Sequence, residues 1–190
     1  EQNFSRVDLL FNNAGTFLSS KTIDEINFSE WKEVIEVNIN GMFLFSKHAF
    51  SLMRNQSPMG GRIINNGSVS AYAPRPGSIA YTATKHAVTG ITKSLALDGR
   101  PFSIVCSQLD IGNADTPMTE GIKKGIIQAD GSIKTEPTFN TEHVADAVVH
   151  LVKLPLDTNI LNMTIMASNM PFIGSCLLYT SPSPRDSGKS

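Results

Sequence analysis

Apolar positions along the chain alternate between short solid runs and longer periodic stretches. Val7–Phe11 is such a run, broken only by Asp8, as a parallel strand covered on both faces requires. Arg62–Val69, Phe102–Leu109 and Ile160–Met166 read as further strands. Between the first two, the stretch from Glu30 to Met53 carries Trp31, Val34, Ile39, Phe43, Phe45 and Phe50 on more than one face. That predicts a long helix, N-capped by Ser29 and sandwiched between the sheet and a second subunit. A second helix runs from near Tyr81 to Leu97, and a third from Thr141 through Leu154. Thr16–Phe28 is a polar connector in which Thr22 and Asp24 can start a short helical turn. Pro117–Asn140 has scattered apolar residues without a period. Strands alternating with helices predict an α/β fold on a parallel sheet.

Composition narrows the partners more than the fold. Formal net charge is −1 with no basic block, which argues against nucleic acid. No apolar run approaches the ~20 residues of a membrane span and no secretory signal opens the chain, so a cytoplasmic protein is expected. Cys106 and Cys176 lack metal-ligand spacing, as do His48, His86, His143 and His150, and no metal is expected. From Cys176 the text turns to Leu-Leu-Tyr-Thr-Ser-Pro-Ser-Pro-Arg-Asp, unlike anything before it. Back-translated, it resembles a sequencing adapter read in frame. Residues 1–174 are therefore taken as the domain and 175–190 as a non-native tail.

Candidate chemistry concentrates between Ile63 and Lys85. The second strand hands over to Gly67-Ser68, where a hydroxyl can enter a cleft. Tyr81 and Lys85 are four apart, hence on one helix face. A nearby ammonium favours the phenolate and lowers a tyrosine pKa that starts near ~10. Tyr81 is thus a candidate general acid/base, with Ser68 positioned to hydrogen-bond the oxygen it protonates. After the first strand, Asn12, Asn13, Ala14 and Gly15 form a turn small enough for another molecule to approach the backbone. Asn38 and Gly41 are poor helix formers inside a predicted helix, and together they suggest a local opening able to hold water.

These parts, in this order and spacing, resemble the short-chain dehydrogenase/reductase family over residues 6–174. Asn12-Asn13-Ala14-Gly15, Val37-Asn38-Ile39-Asn40-Gly41, Ser68, and Tyr81 with Lys85 carry the resemblance. It implies a three-layer, doubly wound parallel sheet of Rossmann type. It also implies NAD- or NADP-dependent interconversion of a carbonyl and a secondary alcohol. The implied catalytic residues are Asn38, Ser68, Tyr81 and Lys85, with Lys85 also holding the nicotinamide ribose and Asn38 a water that links Lys85 to solvent. The implied cofactor contacts are Asn12, Ala14, Gly15, Tyr81, Lys85, Gly112, Ala114 and Thr116. The substrate would be a small molecule, and the intact protein a homodimer or homotetramer.

Two departures qualify the resemblance. The family's usual Pro-Gly turn reads Ile111-Gly112 here, so proline's fixed φ is missing. No Gly-x-x-x-Gly-x-Gly occurs, and the N-terminal βαβαβ half that would carry it needs roughly 60–80 residues upstream. The chain is accordingly expected to be a truncated piece, inactive by itself, without the residue that selects NAD or NADP. The alternative is a non-catalytic dinucleotide-sensing or scaffold protein on the same fold. Arg75, between two prolines, is a weaker candidate for meeting an anionic substrate, and Ile79, Met118 and Ile122 fit a modestly hydrophobic one.

Overall fold

The computed structural model describes residues 6–173. In chain order the elements are β1 (Leu9–Asn12), α1 (Phe28–Ile35), α2 (Met42–Asn55), β2 (Gly61–Asn66), α3 (Ile79–Asp98) and β3 (Ile104–Gly112). They continue with α4 (Glu120–Lys124), β4 (Ile126–Ile127), β5 (Ile133–Lys134), α5 (Glu142–Lys153) and β6 (Asn162–Met166). The main sheet has the order β1-β2-β3-β6, with every neighbouring pair parallel. β4 and β5 form a separate antiparallel pair.

Alternation along β2 builds the layers. Ile63 and Ile64 are both fully buried but face opposite ways. Ile63 packs with Ala49 and Met53 of α2, with Ile104 and Cys106, and against Leu95 of α3. Ile64 packs with Leu109 and with Leu151 of α5. Two helices therefore cover one face and α5 the other, each buried isoleucine contributing roughly 1.5–3 kcal/mol. Arg62, buried in the same strand, reaches α5's C-terminal turn. It donates to the Asn159 side chain and to the carbonyls of Leu154, Pro155 and Thr158, each at 3.2 Å.

Several boundaries differ from the sequence expectation for physical reasons. α1 begins at Phe28, capped by Asn27 and not Ser29, because Glu30 reaches back to accept the Asn27 N–H at 2.9 Å. The predicted single long helix is interrupted by a π turn over Glu36–Gly41, which contains Asn38 and Gly41. β2 stops at Asn66, since the Ser68 N–H leaves the ladder for the Asp110 carboxylate at 2.8 Å. β3 runs on to Gly112 because Asp110, Ile111 and Gly112 find partners in Thr164, Ile165 and Met166. The Thr22 turn forms as expected, a short 3-10 helix over Ile23–Glu25.

Candidate active site

In an all-parallel sheet every strand ends at one edge, and ligands collect there. Here that edge opens into a cavity of about 850 Å³, lined among others by Asn13, Asn66, Ser68, Tyr81, Thr116 and Met118. Ser68 reaches it because the chain bends away from β2 after Gly67. A side chain at Gly67 would lie 2.0 Å from Asp110 Oδ1, so the close approach requires glycine there. The Ser68 hydroxyl accepts the Ser70 N–H at 3.1 Å, which leaves its own proton to point toward Tyr81.

Tyr81 sits in the first turns of α3, facing the same cavity. Its pKa lies above the ordinary tyrosine value: burial raises it most, a hydrogen bond from Ser68 draws it down, and Asp110 raises it further. The spacing argument expected Lys85 to pull the phenol down, and this is corrected. The Lys85 ammonium is 5.4 Å from the ring centroid and donates at 2.8 Å to the Asn66 carbonyl. Burial lowers the Lys85 pKa to about 8, against a raising contribution from Asp110. Around neutral pH the phenol therefore keeps its proton, the form required of an acid.

Asn38 is buried and its amide is fully engaged. Oδ1 accepts the Thr16 N–H at 2.8 Å, while Nδ2 donates to the Thr16 carbonyl at 2.9 Å and to Thr84 Oγ1 at 3.0 Å. The Thr84 hydroxyl donates in turn to the Tyr81 carbonyl at 2.8 Å, so the π turn is tied to the helix that carries the phenol. Asn12 lies beneath the strand ends, not along the cavity. It donates to Ser46 at 2.9 Å and to Asn65 at 2.8 Å. Its neighbour Asn13 lines the cavity and accepts from Asn66 at 2.8 Å. Ala14 is exposed, and Gly15 stands beside Asn38.

Gly112 is packed so closely that a Cβ would come within 2.7 Å of Met170 Sδ, and it does not line the cavity. Ala114 and Thr116 do, in a turn held by Thr119, whose hydroxyl donates to the Ala114 carbonyl at 2.7 Å. Asn113, between Gly112 and Ala114, adopts a left-handed φ of 59°. Arg75 is not waiting for an anionic substrate. Its guanidinium grips Glu136 with two bonds of 2.7 and 2.6 Å, and Glu136 also accepts from Asn113 and Gln128. Sequence reading placed Asn13 in its turn without a contact of its own, and missed Asn66, Asp110 and Glu136. Only Asp110, an acid inside a buried central strand, left a signal that could have been followed.

Cys106 is a free thiol in the core, its pKa pushed up to about 12 by burial. Among the described residues no three His, Cys, Asp or Glu side chains gather as a metal site, and no helix is long and apolar enough to cross a membrane. The expected tail at 175–190 lies outside the described residues.

A hydroxyl and a phenol at the open edge of a parallel sheet, with an ammonium one helical turn behind them, sit on a Rossmann-type α/β scaffold. The short chain dehydrogenase model matches residues 1–126, and the chain belongs to that family. It is 37% identical over 120 residues to a 3beta-hydroxysteroid dehydrogenase of Mediterraneibacter gnavus, a match covering 63% of this chain and 42% of that one. It is 33% identical to a trans-4-hydroxycyclohexanecarboxylate dehydrogenase of Sinomonas cyclohexanicum, covering 79% and 55%. The crystal structure of acetoin dehydrogenase from Enterobacter cloacae superposes with a TM-score of 0.73 at 29% identity, covering 96% of this chain and 69% of that one. The chain thus spans about half the length of the curated relatives it matches.

Proposed function

We propose that the intact protein carrying this chain is an NAD- or NADP-dependent oxidoreductase that interconverts a carbonyl and a secondary alcohol on a small molecule. The observation that carries this reading is the meeting of Ser68 and Tyr81 in one cavity, with Lys85 one helical turn behind. The Ser68 hydroxyl donates to the substrate oxygen and polarises it, most strongly where negative charge grows. Tyr81 gives that oxygen its proton in reduction and takes it back in oxidation. Its raised pKa favours the protonated phenol in the resting site.

The residues present suit a nicotinamide dinucleotide. Lys85 is buried and has spent one donor on the Asn66 carbonyl, so two of an ammonium's three donors are open to ribose hydroxyls. Tyr81, the turn at Ala14 and Gly15, and Ala114 with Thr116 would complete its surroundings, with Asn12 and Gly112 packed behind them as supports. When bound, the nicotinamide supplies or removes the hydride. Asn38, through Thr84, fixes the carbonyl end of Tyr81 and keeps the π turn beside it. Exposed Phe43, Leu44 and Phe45 on α2 support a homodimer or homotetramer.

The test is a panel of ketones and their alcohols, assayed with both cofactors on the intact protein. The Tyr81→Phe variant is expected to lose on the order of 10²–10⁴ in turnover with cofactor binding retained. Cofactor binding without turnover of any alcohol or ketone by the unmutated protein would instead point to a sensing role.

A further inference from the structure

Asp110 is fully buried, yet among the described residues no cation bonds to it. Its Oδ1 accepts the Ser68 N–H at 2.8 Å and Gln108 Nε2 at 2.7 Å. Its Oδ2 accepts the Tyr72 hydroxyl at 2.9 Å and Asn162 Nδ2 at 2.7 Å. Four neutral donors from β2's end, β3, the turn before α3, and β6 thus converge on one carboxylate. Such donors spread a negative charge without cancelling it, and a buried charge is felt at longer range than one in water.

We propose that Asp110 is a positioning residue of this site, holding the Ser68 backbone and the Val69–Tyr72 turn against Tyr81 and presenting an uncancelled negative charge to the phenol and to Lys85. The inference rests on the reading of Ser68 and Tyr81 given above. The titratable groups that face the carboxylate are Tyr72 from the turn and Tyr81 and Lys85 from α3; β3 and β6 offer only the amides of Gln108 and Asn162. Asp110 raises both Tyr81 and Lys85, which stabilises the protonated phenol and the ammonium together. Without it, the site would lose its acid at lower pH. The device also explains the strand geometry: with Ser68's N–H bound to a side chain of the neighbouring strand, β2 must end and its hydroxyl must turn into the cavity.

The experiment compares the intact protein with Asp110→Asn and Tyr72→Phe. Two readouts are taken: the pH dependence of kcat and of kcat/KM, and the Tyr81 phenol titration followed by 13C NMR of labelled tyrosine, assigned with Tyr81→Phe. Asp110→Asn is expected to lower kcat by at least 10-fold with KM changed less than 3-fold, and to move both pH midpoints toward acid. Tyr72→Phe removes one donor from half-exposed ground, so it folds. It is expected to lower kcat about 3-fold and to move the midpoints slightly toward alkali, because the carboxylate loses a bond that disperses its charge. Unmoved midpoints in a folded Asp110→Asn protein overturn the inference, as does a Tyr72→Phe protein with unchanged kcat and titration when Asp110→Asn does not fold. An unmutated protein that turns over no carbonyl or alcohol overturns the functional reading instead, and the NMR titration still decides the role of Asp110.

Discussion

Two carboxylates are buried near the same cavity, and they are accommodated in opposite ways. Glu136 meets a guanidinium head-on, Arg75 closing on it with paired bonds, and its pKa falls below the usual carboxylate value despite the burial that pushes it up. Asp110 meets four neutral donors, and its charge is registered by groups it never touches. A paired carboxylate is electrically quiet and acts as a fastener, here between the 72–78 loop and the 113–137 segment. An unpaired one acts at a distance.

Breaking the quiet pair is the harshest test of that contrast. Glu136→Gln strands a largely buried guanidinium and is expected to cost about 3 kcal/mol of folding stability, by denaturant titration, while leaving the pH midpoints of turnover in place. A shift of those midpoints as large as that from Asp110→Asn would erase the distinction between the two acids. Lys85 gives the next largest effect. Burial depresses its folded pKa from the ordinary lysine value to about 8, so the unfolded chain binds more protons between pH 8 and about 10.5, and stability should rise over that window. Lys85→Met should therefore fold about 2 kcal/mol more stably at pH 7 while losing turnover, the gain fading by pH 10. The smallest effect is expected from Arg75→Met combined with Glu136→Leu. Removing both charges should restore stability to within about 1 kcal/mol of the starting protein, since apolar pairs replace buried ion pairs at little cost. Glu136 also sets an acid limb. With its folded pKa lowered, its contribution is present above the unfolded value near ~4.5 and is lost as pH falls through the folded one, a slope that Glu136→Gln should flatten.

The alternation of apolar runs and amphipathic stretches made the layers legible, because Ile63, Ile64 and Leu109 can only be buried on two sides of a sheet. The spacing of Ser68, Tyr81 and Lys85 was legible for the same reason that helices and strands are: it is local. What escaped was long-range. Glu136 reaches Arg75 across 61 positions and Asp110 reaches Ser68 across 42, and no window along the chain brings those pairs together. The protonation of Tyr81 was misjudged because helical spacing reports the cation one turn away but not the burial around it. Ser29 lost its predicted capping role to Asn27 for a different reason: Glu30 can complete a reciprocal bond only with the residue three before it.

The π turn at Glu36–Gly41 carries one consequence beyond holding Asn38. A turn with an added residue resets the angular phase of everything after it by about 100°, which lets Val34 before it and Met42, Ala49 and Met53 after it all point inward. Deleting any single amino acid there would leave a regular helix that is easier to form. The flanking residues would keep their phase and Met53 its place in the core, while Asn38 would lose the widened turn that holds it against Thr84, so local regularity would be gained at the expense of the pocket alone.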